Sequence, residues 1–245
     1  MSNEGKKMRK QLLLVRHITL LACLIMTGCH SPKEDEPLAK PALTHELPVE
    51  AKGYVVEEAS VLNGKGQLEM SLSKVGDAYH IAQIATHKTF KQKFGYFECR
   101  ARVNHELGAH TAFWLQSPAL SQGLNDTAKF GTEIDIFEYH INQGKDWVYH
   151  NLHWNGYGAD HKRAGTRVKK SGIGDGFHRF GLLWSADEYV FYVDGEETWR
   201  TSEAVSHIPQ YLILSVELSG WGGDVSKAAL PDTFLIDYVR VFQRP

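Results

Sequence analysis

Cysteine, net charge and helical periodicity are all scarce in this chain of 245 residues. Of its three cysteines only Cys99 lies beyond residue 29, so the main body has no second thiol with which to form an intramolecular disulfide. A net charge of −2 offers no electrostatic footprint for nucleic acid. Long amphipathic helical patterns and internal repeats are absent, which argues against bundles and solenoids. Stability must therefore come from the packing of short strands.

Such strands are present. Short apolar or alternating runs recur at 67–72, 97–103, 111–116, 148–154, 180–184, 189–193, 212–218 and 234–242. Between them lie turn signals at Asn63-Gly64, Gly172 to Gly176 and Asp194-Gly195, the last marking a hairpin after Tyr189 to Val193. The roughly 200 residues after the N-terminal segment suit one all-β domain, an antiparallel β-sandwich. Alternation places Cys99 with Phe97 and Ala101, where a small core residue is expected rather than a reactive thiol.

One strand breaks its own pattern. Glu133-Ile134-Asp135-Ile136-Phe137-Glu138 puts three carboxylates into an otherwise buried run. Strict alternation sets Glu133 and Asp135 on one face and Glu138 on the isoleucine face, where an unpartnered carboxylate would cost several kcal/mol or be forced to protonate. One extra residue near Ile136-Phe137, a β-bulge, returns Glu138 to the face of the other two acids. The two glutamates are then about 13 Å apart at Cα, close enough to lean together across a sugar bond in the manner of a retaining glycosidase. Three neighbouring carboxylates cannot all ionise freely, and the least solvated should keep a proton, which supplies an acid beside a nucleophile. Taken alone, the same run also fits a solvated strand face or a cation site.

The Glu-x-Asp-x-x-Glu run resembles the bulged signature of glycoside hydrolase family 16, which includes laminarinases, lichenases, agarases, porphyranases and carrageenases. Phe94-Gly95-Tyr96-Phe97-Glu98-Cys99-Arg100 and Ala112-Phe113-Trp114-Leu115 resemble two strands upstream of it in that family. Leu152-His153-Trp154, Phe177 to Phe180 with Trp184, Phe191 to Gly195 and Ile236 to Val241 resemble strands downstream. The likeness covers about residues 50–245. It implies a jelly-roll sandwich with a cleft across its concave sheet, with Glu133 as nucleophile, Glu138 as acid/base and Asp135 assisting the nucleophile. It also departs from the pattern: the region from Tyr54 to Tyr79 is weakly matched, so edge strands are expected to be missing or rearranged. No cofactor is required for two-carboxylate chemistry. The resemblance leaves room for a structural calcium, for which Asp237 matches a commonly used position.

Alternation extends the site. Trp114 and Gln116 face away from Phe113 and Leu115, which makes Trp114 a candidate sugar platform. Asn151 and His153 are placed in the cleft opposite the apolar set Val148, Leu152 and Trp154. Glu217 shares a face with Ser215 and Ser219 and is a candidate lining residue. Tyr157 and Trp221, in glycine-rich loops, are candidate subsite walls. Arg100, Arg102, Lys162 and Arg163 read as ordinary solvated charge, of interest only for a sulfated substrate.

The N-terminal segment reads as an address. Lys6, Lys7, Arg9 and Lys10 precede an apolar run from Ile18 to Met26 that is too short for a permanent span. Met26-Thr27-Gly28-Cys29 resembles a bacterial lipobox, which implies a signal over residues 1–28, lipid on Cys29, and an exported protein anchored in the cell envelope. Polar, acidic and proline-bearing residues 29–49 read as a disordered tether, leaving 50–245 as the hydrolase domain. The expectation is an endo-acting, retaining β-glycan hydrolase that acts as a monomer on a polysaccharide of β-glucan or galactan type. A carbohydrate-binding jelly roll without turnover, a transglycosylase using the same residues, and a structural envelope lipoprotein are the alternatives.

Overall fold

In the computed structural model the described residues are 51 and 53–243, so the stretches read as a signal and a tether, with Cys29, lie outside them. Among the described residues are fourteen strands: β1 (Gly53–Val55), β2 (Ser60–Leu62), β3 (Leu68–Val75), β4 (Ala78–Ala85), β5 (Gly95–Arg102), β6 (Ala109–Gln116) and β7 (Glu133–Tyr139). The others are β8 (Trp147–Trp154), β9 (Lys162–Lys169), β10 (His178–Trp184), β11 (Tyr189–Val193), β12 (Glu196–Thr201), β13 (Tyr211–Leu218) and β14 (Asp232–Phe242). One short helix, α1 (Thr127–Phe130), precedes β7 and is capped by the Asp126 side chain.

The strands form the expected all-β sandwich. One layer runs β12-β11-β10-β5-β14-β3, with β2 beside β3, and the other runs β4-β13-β6-β7-β8-β9, with β1 beside β4. The hairpin of β3 and β4 joins the layers, pairing from Ser73↔His80 to Val75↔Ala78. Alternation accounts for the filling. Phe97, Cys99 and Ala101 of β5, Phe113 and Leu115 of β6, and Phe180 and Leu182 of β10 are all fully buried. Phe137 of β7 stacks on Phe180 of the opposite layer with ring centroids 3.8 Å apart and meets Phe234 of β14 edge-on. Cys99 sits in that core as expected.

Turn chemistry is as the dipeptides imply. Asp194 and Gly195 both have positive φ, 53° and 84°, in the two-residue connection between Val193 and Glu196. The weakly matched N-terminal region is nevertheless complete enough to supply β1 to β4, and β1 is unusual in running parallel to β4. Three longer strands lie outside the runs read from sequence: β4, β9 and β12.

Candidate active site

The site forms where β7 loses its regular pairing. On the β6 side, Phe113 pairs with Phe137 and Trp114 with Asp135, which leaves Ile136 as the extra residue. On the β8 side the ladder shifts between Asp135↔Asn151 and Glu138↔Tyr149. Ile134, Ile136 and Phe137 all enter the core, and Glu138 turns out to the face of Glu133 and Asp135. The bulge strands a backbone carbonyl in the interior, which would be costly without a partner. Buried His150 on β8 provides one: its Nδ1 lies 2.7 Å from the Ile136 carbonyl oxygen, and its Nε2 lies 2.9 Å from Thr198 Oγ1. Burial pulls the His150 pKa down to about 4, so the ring is neutral and donates from Nδ1.

The resulting pocket, of about 240 Å³, is lined by His110, Ala112, Trp114, Glu133, Asp135, Glu138 and Glu217. Each acid has its own holders. Gln116 donates from Nε2 to Glu133 Oε2 at 2.7 Å, and the Tyr157 hydroxyl donates to the same oxygen. Asn151 donates from Nδ2 to Glu138 Oε2, while His110 Nε2 lies 2.8 Å from Glu138 Oε1. Asp135, almost wholly buried, has His153 Nε2 at 3.4 Å, and His153 Nδ1 is in turn 2.9 Å from His161 Nε2. Trp114 is steadied by a bond from Nε1 to Ser215 Oγ of 3.1 Å.

These surroundings divide the protons unequally. Burial raises Glu133 to about 7; its bonds from Tyr157 and Gln116 oppose the rise, and the charge of Glu138 adds to it. Burial, followed by the charges of Glu138 and Glu133, holds Asp135 well above its ordinary value, so Asp135 carries a proton at neutral pH. Burial would raise Glu138 too, but the bond and charge of His110, with help from Asn151, bring it down to about 2. His110 rises correspondingly, because Glu138 outweighs the effect of burial. The free protein thus holds Glu138 as a carboxylate against a protonated His110, a pair that shares one proton. Behind His110, His140 meets it edge-on and is drawn down to about 4 by burial and by the His110 charge, so it stays neutral.

The family model for glycosyl hydrolases family 16 matches residues 50–240. The chain belongs to that family. Among the curated relatives of this family 16 chain are an endo-1,3-1,4-beta-glycanase of Rhizobium meliloti, 29% identical over 68% of this chain and 34% of its own length, and a keratan-sulfate endo-1,4-beta-galactosidase of Sphingobacterium multivorum, 28% identical over 69% of this chain and 41% of its own. The chain spans about a third of the length of the first of these. A laminarinase catalytic domain from Thermotoga maritima superposes with a TM-score of 0.65 at 26% identity, covering 80% of this chain and 84% of that one.

Against this family 16 frame, the sequence-derived residues are largely gathered in one place. Trp114, Glu133, Asp135, Glu138 and Glu217 line the pocket itself. Gln116, Asn151, His153 and Tyr157 bind or flank its carboxyl groups. Trp221 does not line it: the ring is exposed on the turn Gly220–Gly222, 6.3 Å from His140. Asp237 lies on the other layer, where Arg100 Nη1 meets its Oδ2 at 2.7 Å, so its charge is already answered by a guanidinium that also stacks on Phe177. Glu133, Asp135 and His153 offer ligand atoms within 4.8 Å of one another and could hold a divalent cation in place of substrate. His110 was not among the residues read from sequence. The strand read as 111–116 begins at Ala109, and two steps back from Ala112 on the face of Trp114 stands His110.

Proposed function

We propose that the chain is an endo-acting retaining glycoside hydrolase that cleaves internal β-glycosidic bonds of a glucan or galactan. The observation that carries this reading is the bulge at Ile136, which brings Glu138 to the pocket face of Glu133 and so places two carboxyl groups with different holders on one cleft. The relatives, an endo-1,3-1,4-beta-glycanase and a keratan-sulfate endo-1,4-beta-galactosidase, support a glucan or galactan as the class of substrate.

In the first step the Glu133 carboxylate attacks the anomeric carbon. The bond to the leaving sugar breaks, and Glu138 gives its proton to the departing oxygen. In the second, Glu138 takes a proton from water, the water oxygen attacks the same carbon, and Glu133 is released. Asp135 beside Glu133 stays protonated and neutral, which limits the negative charge around the nucleophile. The acid role requires the shared proton to sit on Glu138 when the bond breaks. Transfer from His110 across their hydrogen bond converts an ion pair into two neutral groups, and a sugar that expels water from the pocket favours the neutral form. Trp114 offers an indole face to the sugar ring, and Gln116 and Tyr157 aim Glu133.

The N-terminal reading completes the proposal: a signal over residues 1–28, lipid on Cys29, a tether over 29–49, and a monomeric domain displayed at the bacterial envelope. A polysaccharide panel resolved by product chromatography tests the activity. Glu133→Gln should abolish turnover of every substrate, whereas Glu138→Gln should spare substrates with activated leaving groups. Undiminished activity in either variant refutes the assignment.

A further inference from the structure

A line of positive charge runs beside the carboxylates, one strand removed. Across β8, Glu133 pairs with His153 and His153 with Arg163; Glu138 pairs with Tyr149 and Tyr149 with Arg167. Lys169 continues the line opposite Trp147. Directly paired residues share a face of the sheet, so Arg163, Arg167 and Lys169 stand on the pocket face, two strand spacings or about 10 Å from the acids. Each catalytic carboxylate thus has its own arginine on the same rung. Between the arginines stands Gly165, whose missing side chain makes room for Asn151: a Cβ there would collide with Asn151 Oδ1.

All three cations are exposed, and none forms an ion pair within the described residues. Lys145, Lys170, Arg200 and Lys227 do take carboxylate partners, while Lys65, Lys88, Lys91 and Arg179 do not, so it is the alignment of the three on the pocket face that sets them apart. Arg167 is nevertheless held: its guanidinium lies 4.5 Å above the Trp147 ring, with Lys169 Nζ 5.9 Å from the same ring. Charge on an edge strand guards against pairing with another chain, but that purpose is met by any charge in any orientation. It does not account for a guanidinium laid over an aromatic ring on the cleft side. Planar guanidinium groups match sulfate and carboxylate oxygens in a bidentate manner. The pocket centre, with Glu133, Asp135, Glu138 and Glu217, would repel an acidic polymer unless cations flanked it.

We propose that the pocket face of β9 is an anion-binding rail, and that Arg163 and Arg167 take sulfate ester or carboxylate groups of an acidic glycan on either side of the bond to be cut. The proposal rests on the hydrolase reading of the same cleft and names its substrate class.

Binding is measured with the full chain carrying Glu133→Gln, so that polymer is not consumed. Two matched pairs serve as probes: a sulfated β-galactan with its chemically desulfated form, and a β-glucan before and after oxidation of its C6 hydroxyls to carboxylates. In at least one pair the acidic member should bind about tenfold tighter, and the ratio should shrink with added salt. The pair that responds identifies sulfate or carboxylate. Adding Arg163→Ala with Arg167→Ala should remove about tenfold of the acidic binding and leave neutral binding within about twofold. Arg167→Gln, which keeps a stem over Trp147, should act in the same direction, and thermal melting checks that each variant is folded. Equal binding within both pairs, no binding to either acidic polymer, or an equal loss for neutral and acidic members overturns the rail. Wild-type chain that binds acidic polymer selectively yet releases no oligosaccharide refutes the hydrolase reading alone.

Discussion

Replacing His110 with glutamine removes the cation that holds Glu138 ionised while keeping an N–H within reach of the same oxygen. His110 Nε2 and Glu138 Oε1 are 2.8 Å apart, with both side chains less than one-fifth exposed. Glutamine keeps the hydrogen bond but loses its charge; a charge-assisted bond is roughly twice as strong as a neutral one, so about 1–2 kcal/mol is lost and the Glu138 pKa should rise by about one. Without His110, Glu138 therefore rises from about 2 but still loses its proton well below neutrality. In the wild type the proton of the pair resides on His110, whose pKa lies above 6.5, so the alkaline limb of kcat/KM falls above that value. In His110→Gln the limb should move to lower pH. At pH 7.5 turnover of polysaccharide should drop by on the order of a hundredfold, the scale of general acid assistance. An activated aryl glycoside needs no acid in the first step, and an ionised Glu138 still serves as base in the second. Its hydrolysis should stay within a few fold. An unchanged pH profile, or an equal loss for both substrates, would refute the shared-proton account.

His150→Leu leaves the Ile136 carbonyl buried and unpaired, so stability should fall by about 1–3 kcal/mol in urea unfolding and the activity of the remaining folded protein should fall with it. Gly165→Ala drives a Cβ into Asn151, which releases one holder of Glu138; kcat should fall more than thermal stability does, as parallel kinetics and melting would reveal. Phe137→Ala empties a position stacked on Phe180 between the layers and should cost about 3–5 kcal/mol. Because Arg100 already answers Asp237, a chelator should leave the melting temperature unchanged; a drop restored by calcium would contradict that arrangement.

Much of the site was readable because the conflict in Glu133 to Glu138 has few physical resolutions: alternation, burial and three carboxylates coexist only with an added residue. What supports the bulge was less legible. His150 occupies the core face with Val148 and Leu152, an odd place for a histidine, and only the tertiary fold brings it to the Ile136 carbonyl. The strand Lys162–Lys169 escaped notice because an edge strand with one face toward water and cleft has no apolar alternation to announce it. Glu196–Thr201 was hidden for the same reason, although the Asp194-Gly195 turn required a returning partner. Trp221 is a case where glycine and an aromatic in a loop suggest a sugar wall, and the ring stands exposed beside His140 rather than among the residues that line the pocket.

From Ala109 to Lys169 the chain goes back and forth through β6, β7, β8 and β9 in order, each strand beside its predecessor. Nearly every residue that lines or steadies the pocket is therefore written in one uninterrupted passage of the gene, with Glu217 supplied from elsewhere. Recombination could exchange that passage between relatives as a single cassette, replacing the lining of the cleft while the rest of the scaffold is inherited untouched.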